Sequence, residues 1–385
     1  MKSISTNTIK PNTYYDSDIY LDDKYILLTP ETPVTEELIK RLSKWKYTEI
    51  VTEGSTSGKM TIPGMDGIGQ FDSDIKEKEA LKEVNELFDK SLDYTEKLFD
   101  DFLRKSDLAI APATDMVKEI IAMVKKNKKY ILRLAELGST DYDFLIIQSV
   151  KTCVLAIVIG EDMRMPAHKL IELGIAGLLH KIGMFRLPPA LRNQTNPLSA
   201  EEKKALTAYP IIGYRVLKEF SLPANITLAI LEHQERMDGT GYPQGLSGDR
   251  ISMNARIIAI ASNYSAQISS RPYREARNGH TSIVELLKGS GRIYDEQILK
   301  RLVFIISIYP LGSYVILNSG SIAQIVDTNT QEPRFPMLKL LTDEHGASLP
   351  EPRVLKTSED SELQISRVLD MSEVSKLRDR GILPS

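Results

Sequence analysis

Hydrophobic positions change their spacing several times along this chain, and each change marks a different kind of element. Near the start, Ile19-Tyr20-Leu21 and Tyr25-Ile26-Leu27-Leu28 flank the turn-forming pair Asp22-Asp23, which predicts a β-hairpin. Thr32-Pro33-Val34-Thr35-Glu36-Glu37 supplies hydroxyl caps, an early proline and first-turn acids for a helix with Leu38, Ile39 and Leu42 on its apolar face. Glu49-Ile50-Val51-Thr52 predicts a closing strand. The Gly-, Ser- and Thr-rich stretch from Gly54 to Gly69 reads as a linker or long loop. From Asp74 to Lys105 the spacing becomes helical, with Leu81, Val84, Phe88, Leu92, Thr95, Phe99 and Phe102 on one stripe. That stripe suits packing within its own domain, the favoured reading, or pairing with a second copy as a homodimer. A further helix is predicted over Pro112 to Leu137, with Thr114 as a candidate cap, and helical periods broken by Gly and Pro turns continue from Tyr142 to Pro310. Beyond Leu311, the runs Tyr314–Leu317, Ile322–Val326 and Met337–Leu341 are strand-like and separated by turn residues.

The pattern predicts a mainly α protein. A small N-terminal α+β module with its linker covers 1–73 and a helical connector 74–137. A helical domain follows over 138–310, then a short β appendage over 311–355 and a polar tail over 356–385. With 385 residues, 42% of them hydrophobic and 26% charged, the chain can bury a sizeable core. A formal net charge of -3 offers no global attraction to DNA or to anionic lipid, so an anion site has to be built locally. No run reaches the ~18 uninterrupted apolar residues of a membrane helix, and Met1–Tyr15 lacks the apolar block of a signal peptide; the expectation is a cytoplasmic protein without membrane insertion. The one cysteine, Cys153, lies in an apolar helical run and reads as a small buried hydrophobe.

Four strings in the helical block stand together. They are Leu178-Leu179-His180-Lys181-Ile182-Gly183; Ala208-Tyr209-Pro210-Ile211-Ile212-Gly213; His233-Gln234-Glu235-Arg236-Met237-Asp238-Gly239-Thr240-Gly241-Tyr242-Pro243; and Ala255-Arg256-Ile257-Ile258-Ala259-Ile260-Ala261-Ser262, followed by Arg271-Pro272-Tyr273-Arg274. In order and spacing, from about Tyr142 to Pro310, they resemble the HD-GYP family of all-helical, metal-dependent cyclic di-GMP phosphodiesterases. The outer modules resemble the flanking modules of one subgroup of that family. The implied fold is an all-helical HD-GYP-like bundle carrying the N-terminal α+β module and the C-terminal β appendage.

Hydrolysis of a phosphodiester by two metal ions requires clustered His and Asp ligands, including a carboxylate that bridges the ions and offsets their repulsion. Where the family carries its first histidine this chain has Gln148. The His-Asp pair is His180-Lys181, the histidine before the Pro-x-x-Gly turn is Tyr209, and the paired histidines are His233-Gln234. The aspartate closing the apolar run is Ser262, and the lysine after the His-Asp-x-Gly turn is Met184. Only His180 and His233 keep a ligand side chain. The remaining histidines of the five, His168, His280 and His345, lie outside the motifs, and His168 and His345 read as surface residues, the first in a loop. Two neutral imidazoles without an anionic partner hold a divalent ion weakly, and Lys181 adds repulsion. The expectation is therefore a protein with no metal or other cofactor and no catalytic residues, its former ligand positions being Gln148, His180, Lys181, Tyr209, His233, Gln234 and Ser262.

What the chain retains points elsewhere. Asp238, Gly239, Gly241, Tyr242 and Pro243 form a loop that is either turn chemistry or, as the resemblance implies, a docking surface for GGDEF-type partners. Arg236 and Asp238 are expected to tie it together. Arg271 and Arg274 match basic positions that contact the cyclic dinucleotide in the family, where guanidinium forks suit phosphate and guanine edges; the alternative is a solvated pair or a bridge to Glu275. Tyr273 stacks on a base or, the safer reading, packs. Lys181 is a phosphate ligand, a partner of Glu235 (the favoured reading) or a snorkelling surface residue. The functional expectation is a catalytically inactive regulatory protein of bacterial signalling, a pseudoenzyme acting as an interaction scaffold and/or cyclic di-GMP sensor. The alternative is a metal-dependent phosphodiesterase with altered ligands, drawing replacement carboxylates such as Glu172 or Glu232.

Overall fold

The computed structural model divides into two units, Met1–Lys78 and Glu79–Ser385. It describes residues 2–9, 13–15, 17, 19–21, 26–28, 34–45, 47–52, 56–57, 68–134, 141–192, 194, 197–269, 276–329 and 332–383. In the first unit, β1 (Lys2–Ser5), β2 (Tyr14–Tyr15), β3 (Ile19–Tyr20), β4 (Ile26–Leu28), α1 (Glu36–Lys44), β5 (Glu49–Thr52) and β6 (Thr56–Ser57) follow in order. A four-stranded sheet runs β1-β5-β3-β4, and β2 pairs with β6. The expected hairpin is the antiparallel β3–β4 pair, with Ile19 opposite Leu28; its Asp22-Asp23 turn lies outside the described residues. The Thr35 hydroxyl accepts from the Leu38 amide at 3.1 Å and starts α1. Ile9, Tyr15, Ile19, Val34, Leu42 and Ile50 close this small core.

Helix α2 runs Ile68–Lys105 and so begins inside the stretch expected to be a linker. The stripe Val84, Phe88, Leu92, Thr95, Phe99 and Phe102 is buried against the second unit's own core. From Glu79 onward this helix is part of that unit's core and not a separate connector. Helix α3 (Ile110–Leu134) starts two residues before Pro112, and Thr114 bonds back to the Ile110 carbonyl at 2.8 Å instead of capping.

The centre of the second unit is α4 (Phe144–Asp162), buried continuously from Leu145 to Gly160. By length and composition it could cross a membrane, but here its surface is covered by neighbouring helices. The unit continues with α5 (Ala167–Leu179), α6 (Pro189–Arg192), α7 (Ala200–Thr207), α8 (Tyr209–Glu219), α9 (Ala224–Glu232), α10 (Met253–Gln267), α11 (Gly279–Leu287) and α12 (Glu296–Ile306), of which α5, α10 and α12, with α3, pack on α4. His168 sits on α5 and not in a loop; Cys153 is fully buried in α4.

The expected strands appear as β7 (Tyr314–Leu317), β8 (Ile322–Asp327) and β9 (Met337–Thr342), joined by β10 (Ser348–Lys356) and β11 (Ile365–Val368) in an antiparallel sheet of order β10-β9-β8-β7-β11. Residues 356–385 are not a polar tail. They contribute β11 and α13 (Met371–Asp379), and Leu369, Val374 and Leu383 fill the core on one sheet face beside Tyr314. Few apolar residues punctuate that segment, so composition alone hid them.

Candidate functional site

Two helix ends build the site. His180 follows α5 and His233 follows α9, each as the residue that closes its helix. The last carbonyls of a helix have no partner inside it. At both ends the histidine supplies one: Nδ1 of His180 donates to the Gly177 carbonyl at 2.7 Å, and Nδ1 of His233 to the Ile230 carbonyl at 2.8 Å. A carbonyl only accepts, so Nδ1 carries the proton, and in a neutral ring Nε2 is left as an acceptor. Both Nε2 atoms face hydroxyl side chains of neighbouring helices.

Each is met by a chain of donors. Gln148 on α4 donates from Nε2 to the Ser262 hydroxyl (3.3 Å) and carbonyl (3.2 Å) on α10, and the Ser262 hydroxyl donates to His180 Nε2 at 3.0 Å. Lys181 Nζ donates to the Tyr209 hydroxyl at 2.7 Å, and that hydroxyl donates to His233 Nε2 at 2.6 Å. The Gln234 side chain also interacts with the Tyr209 hydroxyl. The two chains join where the imidazoles meet edge to face, with centroids 5.3 Å apart. The former ligand positions named from the sequence are thus brought together, and they bond to one another.

Burial completes the arrangement: His180 and His233 are 0% and 1% exposed, Tyr209 4% and Lys181 9%. Desolvation, reinforced by the neighbouring Lys181 ammonium, holds His180 well below the usual imidazole range and lowers His233 to about 3, so both rings stay neutral. Burial likewise pushes the Tyr209 phenol well above its ordinary value, so it remains a donor and supplies no phenolate base.

The fold family implies a metal centre at this position, and the residues present do not fit one. The imidazole lone pairs already accept from hydroxyls. A divalent ion ~4 Å from an ammonium would be repelled by about 8 kcal/mol at an effective dielectric of 20. Among the described residues no group of three His, Cys, Asp or Glu side chains is gathered for a metal. The carboxylates considered as replacements are committed elsewhere. Glu172 receives Lys169 and Asn225, both at 3.0 Å, and Glu232 receives the Ser252 amide at 2.8 Å. Lys181 was expected to pair with Glu235; its partner is instead Tyr209. Glu235 uses its two oxygens on the Gln244 and Leu246 amides at 2.6 and 3.0 Å.

Those acids explain the Asp-Gly-Thr-Gly-Tyr-Pro loop. Its backbone has more donors than its turns can satisfy; Glu235 takes two just past the proline, at Gln244 and Leu246, while Glu232 holds the Ser252 amide at the start of α10. Sequence reading missed both roles; the signal was an acid beside a long loop rich in Gly and Pro. Asp238 accepts from the Thr240 amide (2.9 Å) and hydroxyl (2.6 Å), while Arg236 reaches that hydroxyl at 3.4 Å, so both residues tie the loop as expected. A β-carbon on Gly241 would collide with the backbone of Gln234, Glu235 and Arg236. Turn and packing chemistry therefore account for the loop's glycines. Arg271, Tyr273 and Arg274 lie outside the described residues.

An HD domain model matches residues 119–298, and a KOW domain associated with HD domains matches 314–377. The helical block is an HD domain of HD-GYP-like type. This HD-GYP-like protein is 29% identical to the cyclic di-GMP phosphodiesterase PdeB of Borreliella burgdorferi over 94% of both chains. It is also 29% identical to a cyclic di-GMP phosphodiesterase of Pseudomonas aeruginosa over 77% of this chain and 71% of that one. Among solved structures, an HDGYP protein from Bdellovibrio bacteriovorus aligns over 78% of this chain and 97% of its own, with a TM-score of 0.49 and 16% identity.

Proposed function

We propose that this HD-GYP-like protein serves cyclic di-GMP signalling as a non-hydrolytic regulator, a scaffold for signalling partners or a sensor of the dinucleotide. The observation that carries this reading is the pair of donor chains ending on His180 Nε2 and His233 Nε2, which occupy the lone pairs that two-metal hydrolysis requires. The burial of the same residues supports the scaffold role over ligand binding at this position. The expected result is no conversion of cyclic di-GMP by the purified protein with added manganese or iron, and no stoichiometric metal by elemental analysis. About two ions per chain, or metal-dependent turnover, would overturn it.

One finding favours a second reading. The relatives that match over most of this chain's length are named phosphodiesterases. An active enzyme here would have to open both donor chains to free its imidazoles, and its turnover would be abolished in His180→Ala. Calorimetry with cyclic di-GMP, repeated on an Arg271→Ala, Arg274→Ala double variant, separates sensor from scaffold.

A further inference from the structure

We propose that Lys181 is the pocket's own cation, and that with Tyr209 it joins the motif segments a metal ion would otherwise hold together, so this fold is assembled without metal. The inference rests on the non-hydrolytic reading of the same site. It goes further, assigning a positive role to a residue that loss of ligands alone would leave as an accident.

Three observations carry it. First, the linkage crosses three elements. Lys181 opens the turn after α5, Tyr209 is the first residue of α8, and His233 closes α9; the bonds of 2.7 and 2.6 Å run through all three. Second, the ammonium lies 4.6 Å from the centroid of the Tyr209 ring, at the hydroxyl end of the phenol, so the hydroxyl oxygen is the acceptor that holds it. Third, donation runs one way. Lys181 has only protons to give, the Tyr209 hydroxyl accepts one and donates its own, and His233 Nε2 receives it. A tyrosine between a lysine and a neutral histidine satisfies all three. A histidine at 209 facing Lys181 and His233 could accept from the first or donate to the second, but its ring nitrogens would have to reach both at once.

The test is thermal melting of the full chain with and without EDTA, then with added manganese or zinc. The wild-type melting temperature is expected to be unchanged by chelation and by either metal. Lys181→Met, which keeps the stem and removes the charge, is expected to melt several degrees lower, and so is Tyr209→Phe; the double variant is expected to lose less than the sum of the two, because one linkage is being cut twice. A Lys181→Met protein at or above the wild-type melting temperature would overturn the inference, since an apolar side chain would then do as well as the cation. Should Lys181→Met fail to fold, the pair Lys181→Asp with Tyr209→His decides. These changes put a carboxylate and a third imidazole beside His180 and His233, and the double variant is expected to gain a metal-dependent rise in melting temperature absent from the wild type. No gain would count against the inference. Turnover is read separately: hydrolysis by a protein whose melting ignores metal sinks the regulatory reading, whereas a metal-free, inactive protein indifferent to Lys181→Met sinks only this one.

Discussion

Gly183→Ala is expected to destabilise the second unit by more than about 4 kcal/mol, enough to remove most soluble folded protein. The turn that carries Lys181 passes directly over the first turn of α8. A β-carbon on Gly183 would run into the Tyr209 carbonyl and would lie 2.7 Å from the Gly213 amide nitrogen, and both obstacles are backbone. Backbone cannot rotate aside as a flexible side chain can, so α8 would have to move bodily, taking Tyr209 off Lys181 and His233. Soluble yield and the urea midpoint check this; an alanine variant with the wild-type midpoint would show that the crossing is looser than described.

The second large effect is acid destabilisation that starts unusually early. In the unfolded chain His180 and His233 take up protons near pH 6.5; in the fold both are held neutral, His233 down to about 3. Between those limits the unfolded state binds more protons, so stability rises with pH. The contribution is complete above pH 6.5 and is lost progressively as pH falls toward the folded values. Two such groups give a slope of up to about 2.7 kcal/mol per pH unit below about pH 6. Ordinary carboxylates titrate near pH 4, so denaturation between pH 7.5 and 5 isolates the histidines. A urea midpoint that stays flat across that range would mean the rings are not held neutral.

Much of the fold was legible because its signals are local. Thr35 caps α1 as its spacing predicts, the β3–β4 hairpin and the first three C-terminal strands form where alternation and turns place them, and helices make up most of the described residues between Tyr142 and Pro310. The errors fall where local signals are silent. Residues 356–385 read as a polar tail because β11 and α13 bury only scattered apolar side chains, and burial against a sheet is a property of the sheet. The stripe on α2 packs within its own domain, the favoured of its two readings, against the surrounding helices. Thr114 had the residue type of a cap, but the helix began four residues earlier.

The sequence by itself, through its resemblance to the HD-GYP family, singled out Gln148, His180, Lys181, Tyr209, His233 and Ser262 as one group of positions, and it determined that imidazoles there are few. Only the tertiary structure decided what they do to one another. Lys181 bonds Tyr209 rather than Glu235 because the turn at Gly183 lies against α8, while the amides of the Gly-Pro loop had already taken both Glu235 oxygens. Hydrogen-bond partners are set by distances of a few tenths of an ångström between segments far apart in the chain, and linear spacing carries no such information.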